Sequence, residues 1–324
     1  MQSLAHLLRL LCLLCLALPG AASAQRFPDK PITMVIPFTP GGVTDVIGRW
    51  LADGLTKELG QRVIIDNRAG ANGQIGTDFV AKSRPDGHTL LFGGIGALTI
   101  RQHLVKLPYD PVKDFIPISL VAITDIMIVA HSSIPANTPA EFVAYAKANP
   151  KKLRFGTSGT GGPTHLVGEL FKDKAGFSME HIPYKGDSVA VADVAAGHID
   201  VSVSAASVVA PFAKAGLLKP IAMAGQRRSP LFPNVPTIGE TVVPGFSGEN
   251  WMGLIAPAGT PPEIVRIITA ATLKVMHDPV IRQKITTGGN TPVGSTPEEF
   301  VTFMRAETVK WGEVIRVAKV KADD

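Results

Sequence analysis

Two stretches of this chain place backbone N–H groups where they can hold an anion: Pro40-Gly41-Gly42-Val43-Thr44-Asp45 and Thr160-Gly161-Gly162-Pro163-Thr164-His165. Each follows an apolar run that reads as a strand, residues 32–38 and 153–155, and each leads into an amphipathic run. The first N–H groups of a helix have no partner inside it, and the helix dipole sets partial positive charge behind them. Such a turn attracts a carboxylate without needing a charged side chain. Glycine is also the default residue at tight turns, so position carries the inference: loops at the carboxyl ends of parallel strands are where open α/β sheets bind ligands. Two such mouths facing each other make a clamp. The candidate ligand-binding residues are Phe38, Thr39, Pro40, Gly41, Gly42, Thr44 and Asp45 at the first corner, and Thr157, Ser158, Gly159, Thr160, Gly161 and His165 at the second. Gly93, Gly94, Tyr184, Lys185, Gly186 and Ala205 complete the set.

Other chemistries fit less well. Gly156-Thr157-Ser158-Gly159-Thr160 lies where a nucleophile elbow would sit, but that turn needs Gly two residues after the Ser, where Thr160 stands. Ser158 therefore reads as a loop hydroxyl, with a secreted esterase or amidase using Ser158 and His165 as the rival reading. His165 and Glu169 stand four apart without a third ligand, so no metal is expected. His165 reads as a first-turn side chain that bonds locally or points toward the cleft. His181 and His198 read as ordinary polar residues without nearby partners. Asp45 is either a helix-opening carboxylate or a discriminator that accepts a hydrogen bond from ligand or water. Trp251 reads as core under the hinge. No Gly-x-x-x-x-Gly-Lys-Ser/Thr and no Gly-x-Gly-x-x-Gly after a strand occurs, so neither nucleotide nor cofactor is expected.

The elements that must position these residues follow from periodicity. After the strand at 32–38, Val43, Val46, Ile47, Trp50, Leu51, Leu55 and Leu59 form one apolar helical stripe. Further strands are expected at 62–66 and at 89–92, the latter running into Gly93-Gly94, which predicts a parallel sheet with right-handed crossovers. Residues 118–130 are almost wholly apolar and read as a strand crossing between lobes, with a second α/β series behind it. Thr138-Pro139-Ala140-Glu141, Thr260-Pro261-Pro262-Glu263 and Thr296-Pro297-Glu298-Glu299 predict three helix starts, each a capping box with proline in the first turn. Strands are expected at 201–204 and 217–223, a loop at 227–245, and a return strand at 246–256. A chain crossing near residue 122 and again near 248 predicts two lobes on a hinge, 25–122 with 248–324 and 123–247. The expected fold class is α/β, each lobe a mainly parallel sheet flanked by helices, with two crossover strands at the hinge.

Composition bounds the rest. His6 and Arg9, the Leu/Cys-rich residues 10–18 and Ala22-Ser23-Ala24 before Gln25 predict a secretory signal peptide over residues 1–24, too short to span a bilayer. Both cysteines, Cys12 and Cys15, fall within it. The mature chain is thus expected to lack thiols, which excludes Cys nucleophiles, Cys metal sites and a disulfide scaffold. Losing Arg9 leaves 31 of the 32 Lys and Arg against 27 Asp and Glu, and aromatics make up 6%. A mild, scattered positive balance without a stacking platform argues against nucleic acid and suits a small organic anion.

In Pro37-Phe38-Thr39-Pro40-Gly41-Gly42-Val43-Thr44-Asp45, Asp66-Asn67-Arg68-Ala69-Gly70-Ala71-Asn72-Gly73, Arg84-Pro85-Asp86-Gly87-His88-Thr89, Pro183-Tyr184-Lys185-Gly186 and residues 156–166 and 251–261, the chain resembles the tripartite tricarboxylate transporter substrate-binding receptors, the Bordetella uptake gene (Bug) family. The resemblance runs in order over nearly the whole mature chain. It implies a type II-like periplasmic binding protein that closes over a small carboxylate-bearing solute and hands it to membrane permease subunits. It also implies that backbone amides and ordered water of the loops at 38–45 and 157–165 hold the carboxylate. A monomer is expected. A sensory module that docks on a membrane signalling partner has the same fold and site. Two departures are His88, where the family often has Tyr, and Asp187-Ser188-Val189, where a Gly/Pro-rich turn is more usual.

Overall fold

The computed structural model describes residues 27–150 and 152–321, so the signal peptide expected over residues 1–24 lies outside the described residues. The chain begins with β1 (Ile32–Ile36), α1 (Val43–Leu59), β2 (Val63–Asn67), α2 (Gln74–Ala81), β3 (Thr89–Gly94) and β4 (Phe115–Thr124). After a single residue, Asp125, it continues as β5 (Ile126–His131), α3 (Pro139–Ala148), β6 (Arg154–Thr157), α4 (Pro163–Ala175), β7 (Glu180–Pro183), α5 (Asp187–Ala195), β8 (Val201–Ala205), α6 (Ala206–Lys214), β9 (Leu218–Met223) and α7 (Ile238–Thr241). It returns as β10 (Asn250–Pro257), followed by α8 (Pro262–His277), α9 (Pro279–Thr287), β11 (Asn290–Pro292) and α10 (Pro297–Ala318).

These strands form two sheets, ordered β11-β4-β10-β3-β1-β2 and β7-β6-β8-β5-β9. Each sheet is mixed rather than mainly parallel as expected, with a parallel part, β2-β1-β3 and β7-β6-β8, and an antiparallel part formed by β10, β4 and β11 in one and by β5 and β9 in the other. The crossings fix where the strand ends point. Because β10 runs antiparallel to both β3 and β4, β4 ends on the same edge of its sheet as β1 and β3. One residue later β5 starts with Ile126 opposite Ala205, the last residue of β8. The carboxyl ends of both parallel halves therefore open toward the level of Asp125 from opposite sides, and that level is where a crevice between sheets must lie.

Several local expectations differ from the fold. α1 buries Ile47, Leu51 and Leu55 together with Gly48 and Ala52, while Val46 is 36% exposed. At 3.6 residues per turn a face centred on Ile47, Leu51 and Leu55 leaves Val46 at its edge. Thr296 and Glu299 form the expected capping box, and Thr138 Oγ1 accepts the N–H of Glu141. Thr260 does not cap: its hydroxyl turns back to Pro257 O at 2.8 Å, and α8 starts one residue later than expected, at Pro262 with Pro261 in the N-cap place. The expected loop at 227–245 contains α7, with a full capping box of Thr237 and Glu240. A hydrophobic cluster joins both sheets, with Trp251, Phe300 and Trp311 on one side and Phe155, Phe171 and Phe246 on the other. Burying each such side chain contributes roughly 1.5–3 kcal/mol.

Gly93 and Gly94, expected after the third strand, are buried inside β3. A Cβ on Gly94 would lie 2.0 Å from the Trp251 carbonyl oxygen of β10, so the close strand approach itself demands glycine. Gly94→Ala is predicted to destabilise the fold by about 3 kcal/mol. Gly42→Ala, whose nearest neighbour would be 3.8 Å away, should cost far less. Urea unfolding of both variants checks this.

Candidate functional site

The two glycine corners repeat in backbone geometry as well as in sequence. Gly41 and Gly161 have φ of +85° and +69°, a region open to glycine at little cost. Gly42 and Gly162, which precede α1 and α4, have φ/ψ of −75°/168° and −79°/168°. No side chain caps either helix. At the first corner the N–H groups of Val43, Thr44 and Asp45 open the helix. At the second, Pro163 removes one donor and leaves those of Thr164 and His165.

The duplication extends to a brace that holds each corner. The Gly41 N–H donates to Asp45 Oδ2 at 2.9 Å, and the Gly161 N–H donates to His165 Nδ1 at 3.0 Å. The first glycine N–H is therefore spent on the side chain four residues on, and the donors left for a ligand belong to the helix itself. Asp45, 3% exposed, also accepts from Arg49 Nε and Nη2 at 2.9 and 3.0 Å and from Asn67 Nδ2 at 2.9 Å. Asn67 donates as well to the Phe38 carbonyl at 3.1 Å, tying the strand end to the corner. Burial works against the Asp45 charge, but the bonds from Arg49, Gly41 and Asn67 outweigh it and hold the carboxyl below its ordinary value.

His165 is one member of a stacked pair, its ring 3.7 Å from that of His181. His181 is thus partnered, contrary to expectation, and its Nε2 lies 2.7 Å from Thr157 Oγ1. Register brings it there, since β7 pairs His181 with Phe155 of β6. Burial, and then the neighbouring His165, push the His181 imidazole down to about 4, which keeps the ring neutral at physiological pH. His165 Nε2 faces Glu169 at 3.6 Å. Burial opposes the Glu169 charge, yet His165 and Lys172 hold its carboxyl below the usual range. His198 is partnered too, with Asp193 at 3.4 Å.

The remaining expected residues divide by exposure. Thr39, Pro40, Gly41 and Gly42 are exposed, whereas Gly161 and Gly162 are buried. Leu104, which lies between β3 and β4, reaches over the second corner, its Cδ1 2.9 Å from where a Cβ on Gly161 would stand. Thr157 ends β6, and the exposed Ser158 bonds the hydroxyl of Thr164 at 2.9 Å. Gly159 and Thr160 are half-buried between them. The ring of Tyr184 packs beside Gly156 and its hydroxyl donates to Asp193 at 2.8 Å, while Lys185 is exposed. Ala205 ends β8 and donates its N–H to Asp187 Oδ2 at 3.2 Å. Trp251 is 1% exposed and packs edge-on against Phe300 and Phe303. Arg49, Asn67 and Leu104 were absent from the sequence-based set. Arg49 had a signal in its i,i+4 spacing from Asp45, whereas Asn67 and Leu104 arrive only through tertiary contact.

A family profile described as "Tripartite tricarboxylate transporter family receptor" matches residues 47–320. Protein BugT of Bordetella pertussis is 35% identical over 92% of this chain and 92% of its own length. Among solved structures, Rpa4515 of R. palustris with adipate has 32% identity and a TM-score of 0.80, covering 91% of this chain and 99% of that one. MatC from Rhodopseudomonas palustris with bound malate has 30% identity and a TM-score of 0.75, covering 89% and 100%.

The Asp45 network yields a prediction. Because its folded pKa is depressed, its contribution is full above the ordinary carboxyl value of 3.8 and is lost as pH falls through the lower folded value. Asp45→Ala should cost about 2 kcal/mol at neutral pH, with the Arg49 share reduced by that side chain's exposure. Urea unfolding at pH 7 and pH 3 should show the gap between the proteins narrowing at the lower pH. A gap independent of pH would contradict the network's role.

Proposed function

Because the chain belongs to the tripartite tricarboxylate transporter receptor family, we propose that it closes two lobes over a small carboxylate-bearing solute in the periplasm and hands that solute to the permease subunits of a tripartite membrane transporter. The lobes of this reading are residues 25–122 with 248–324 and residues 123–247. The observation that carries it is the pair of uncapped helix starts with matching glycine backbones, opening from opposite sheets toward the level of the crossing. Backbone donors at helix starts suit a carboxylate, and adipate and malate, bound in the two related structures, are both carboxylates. Affinity in such a device comes from lobe closure, which brings the second set of donors onto a ligand already held by the first.

Catalysis fits the same residues poorly. Ser158 bonds Thr164, and His165 spends Nδ1 on Gly161 while Nε2 faces Glu169, so nucleophile and base are engaged separately.

A thermal-shift screen of the mature protein with di- and tricarboxylates, amino acids and aromatic acids tests the reading. At a hundred-fold excess over Kd a ligand stabilises by about 2.7 kcal/mol, so a true ligand raises Tm clearly. No shift with any carboxylate would overturn the reading. Val43→Pro removes one N–H at a helix position that tolerates proline. It should lower the Tm of the free protein only slightly, since Val43 is a partly buried side chain at the core's edge, and weaken binding about ten-fold, as read by calorimetry.

A further inference from the structure

Asp187 opens α5 directly after Gly186, at the carboxyl end of β7. Its Oδ2 accepts the N–H of Ala205 at the end of β8. Since β6 lies between β7 and β8, this carboxyl group stretches across the end of β6, beside the Ser158 hydroxyl and at the mouth of the second glycine corner. Its other oxygen, Oδ1, is sealed from solvent and has no hydrogen-bond partner among the described residues. Burial pushes the carboxyl above its ordinary value.

The contrast with the first corner is chemical. Asp45 is saturated by Arg49, Asn67 and Gly41, so the donors of α1 remain available to an anion. Asp187 has a backbone N–H and a neighbouring hydroxyl but no cation, and one of its oxygens is left over. A buried acceptor without a donor costs about 1–3 kcal/mol. A second anion placed against this group would meet like charge or a carboxyl forced to hold its proton. A hydrogen-bond donor placed there removes the deficit.

We propose that Asp187 sets the class and polarity of the solute: the carboxylate goes to the helix start after Gly42, and an amino or hydroxyl group on the same molecule donates to Asp187 at the second corner. This rests on the receptor reading above. The preferred solutes are then amino- or hydroxy-substituted carboxylates rather than plain dicarboxylates.

Matched compounds test it: succinate, malate and aspartate, which differ only in the group on one carbon, and adipate with 2-aminoadipate for a longer chain. They are titrated by calorimetry into the mature wild type, Asp187→Asn and Asp187→Ala. The wild type should bind a substituted acid about ten-fold or more tightly than its plain counterpart. In Asp187→Ala that preference should vanish while plain-acid affinity holds or rises, which also reports an intact fold. Asp187→Asn, which keeps an acceptor but not the charge, should retain preference for hydroxyl over plain and lose it for amino. A plain acid preferred by the wild type, or one preference shared by all three proteins, overturns the role of Asp187 and leaves the receptor reading standing. Failure of every carboxylate to bind the wild type overturns both.

Discussion

A helix start with no side-chain acceptor leaves several N–H groups for water or a ligand to satisfy, and this chain builds that situation twice with the same backbone. The arrangement depends on a constraint one residue earlier. A glycine at positive φ would swing freely, but its N–H is pinned by the side chain four residues on, Asp45 in one copy and His165 in the other. The brace uses up the outermost donor and in exchange fixes the direction of the inner ones. Donors held in place before a ligand arrives bind it without an ordering cost, which is the physical advantage of a rigid corner over a flexible loop.

The rest of the fold serves to bring the two corners to one level. A single residue, Asp125, separates the last strand residue of one sheet from the first of the other, so the carboxyl ends of both parallel halves meet at the crossing. The C-terminal helix then packs on α4 as well as on β4, and its Phe300 and Trp311 join a cluster that runs through both lobes. The corners differ in what surrounds them. The first is exposed and electrically compensated, while the second is covered by Leu104 and carries the neutral His181 against His165.

The repeat itself was legible because a Gly-Gly pair after an apolar run and before a helical stripe is a local signal. The crossing was legible for a similar reason, since residues 118–130 contain little that could face water. A local bond for His165 was legible and is made, but the brace shared by both corners was not, although Asp45 and His165 occupy the same offset. A carboxylate and an imidazole look unalike in a sequence, and the bond each accepts depends on a glycine dihedral that no side-chain pattern encodes. Contacts set by strand register, such as His181 on His165, and contacts across lobes, such as Leu104 over Gly161, come from residues distant in sequence. Thr260 misled because its hydroxyl bonds back to Pro257 O and the helix starts one residue later than the Thr-Pro-x-Glu spacing implies.

The central claim is that one solute engages both helix starts together. Amide hydrogen exchange of the mature protein, with and without a bound carboxylate, measures it directly. The account predicts that the peptides covering residues 41–46 and 161–166 gain protection in parallel as ligand is added, with one shared midpoint. Protection confined to one of them, or arising elsewhere while both stay unchanged, would contradict it.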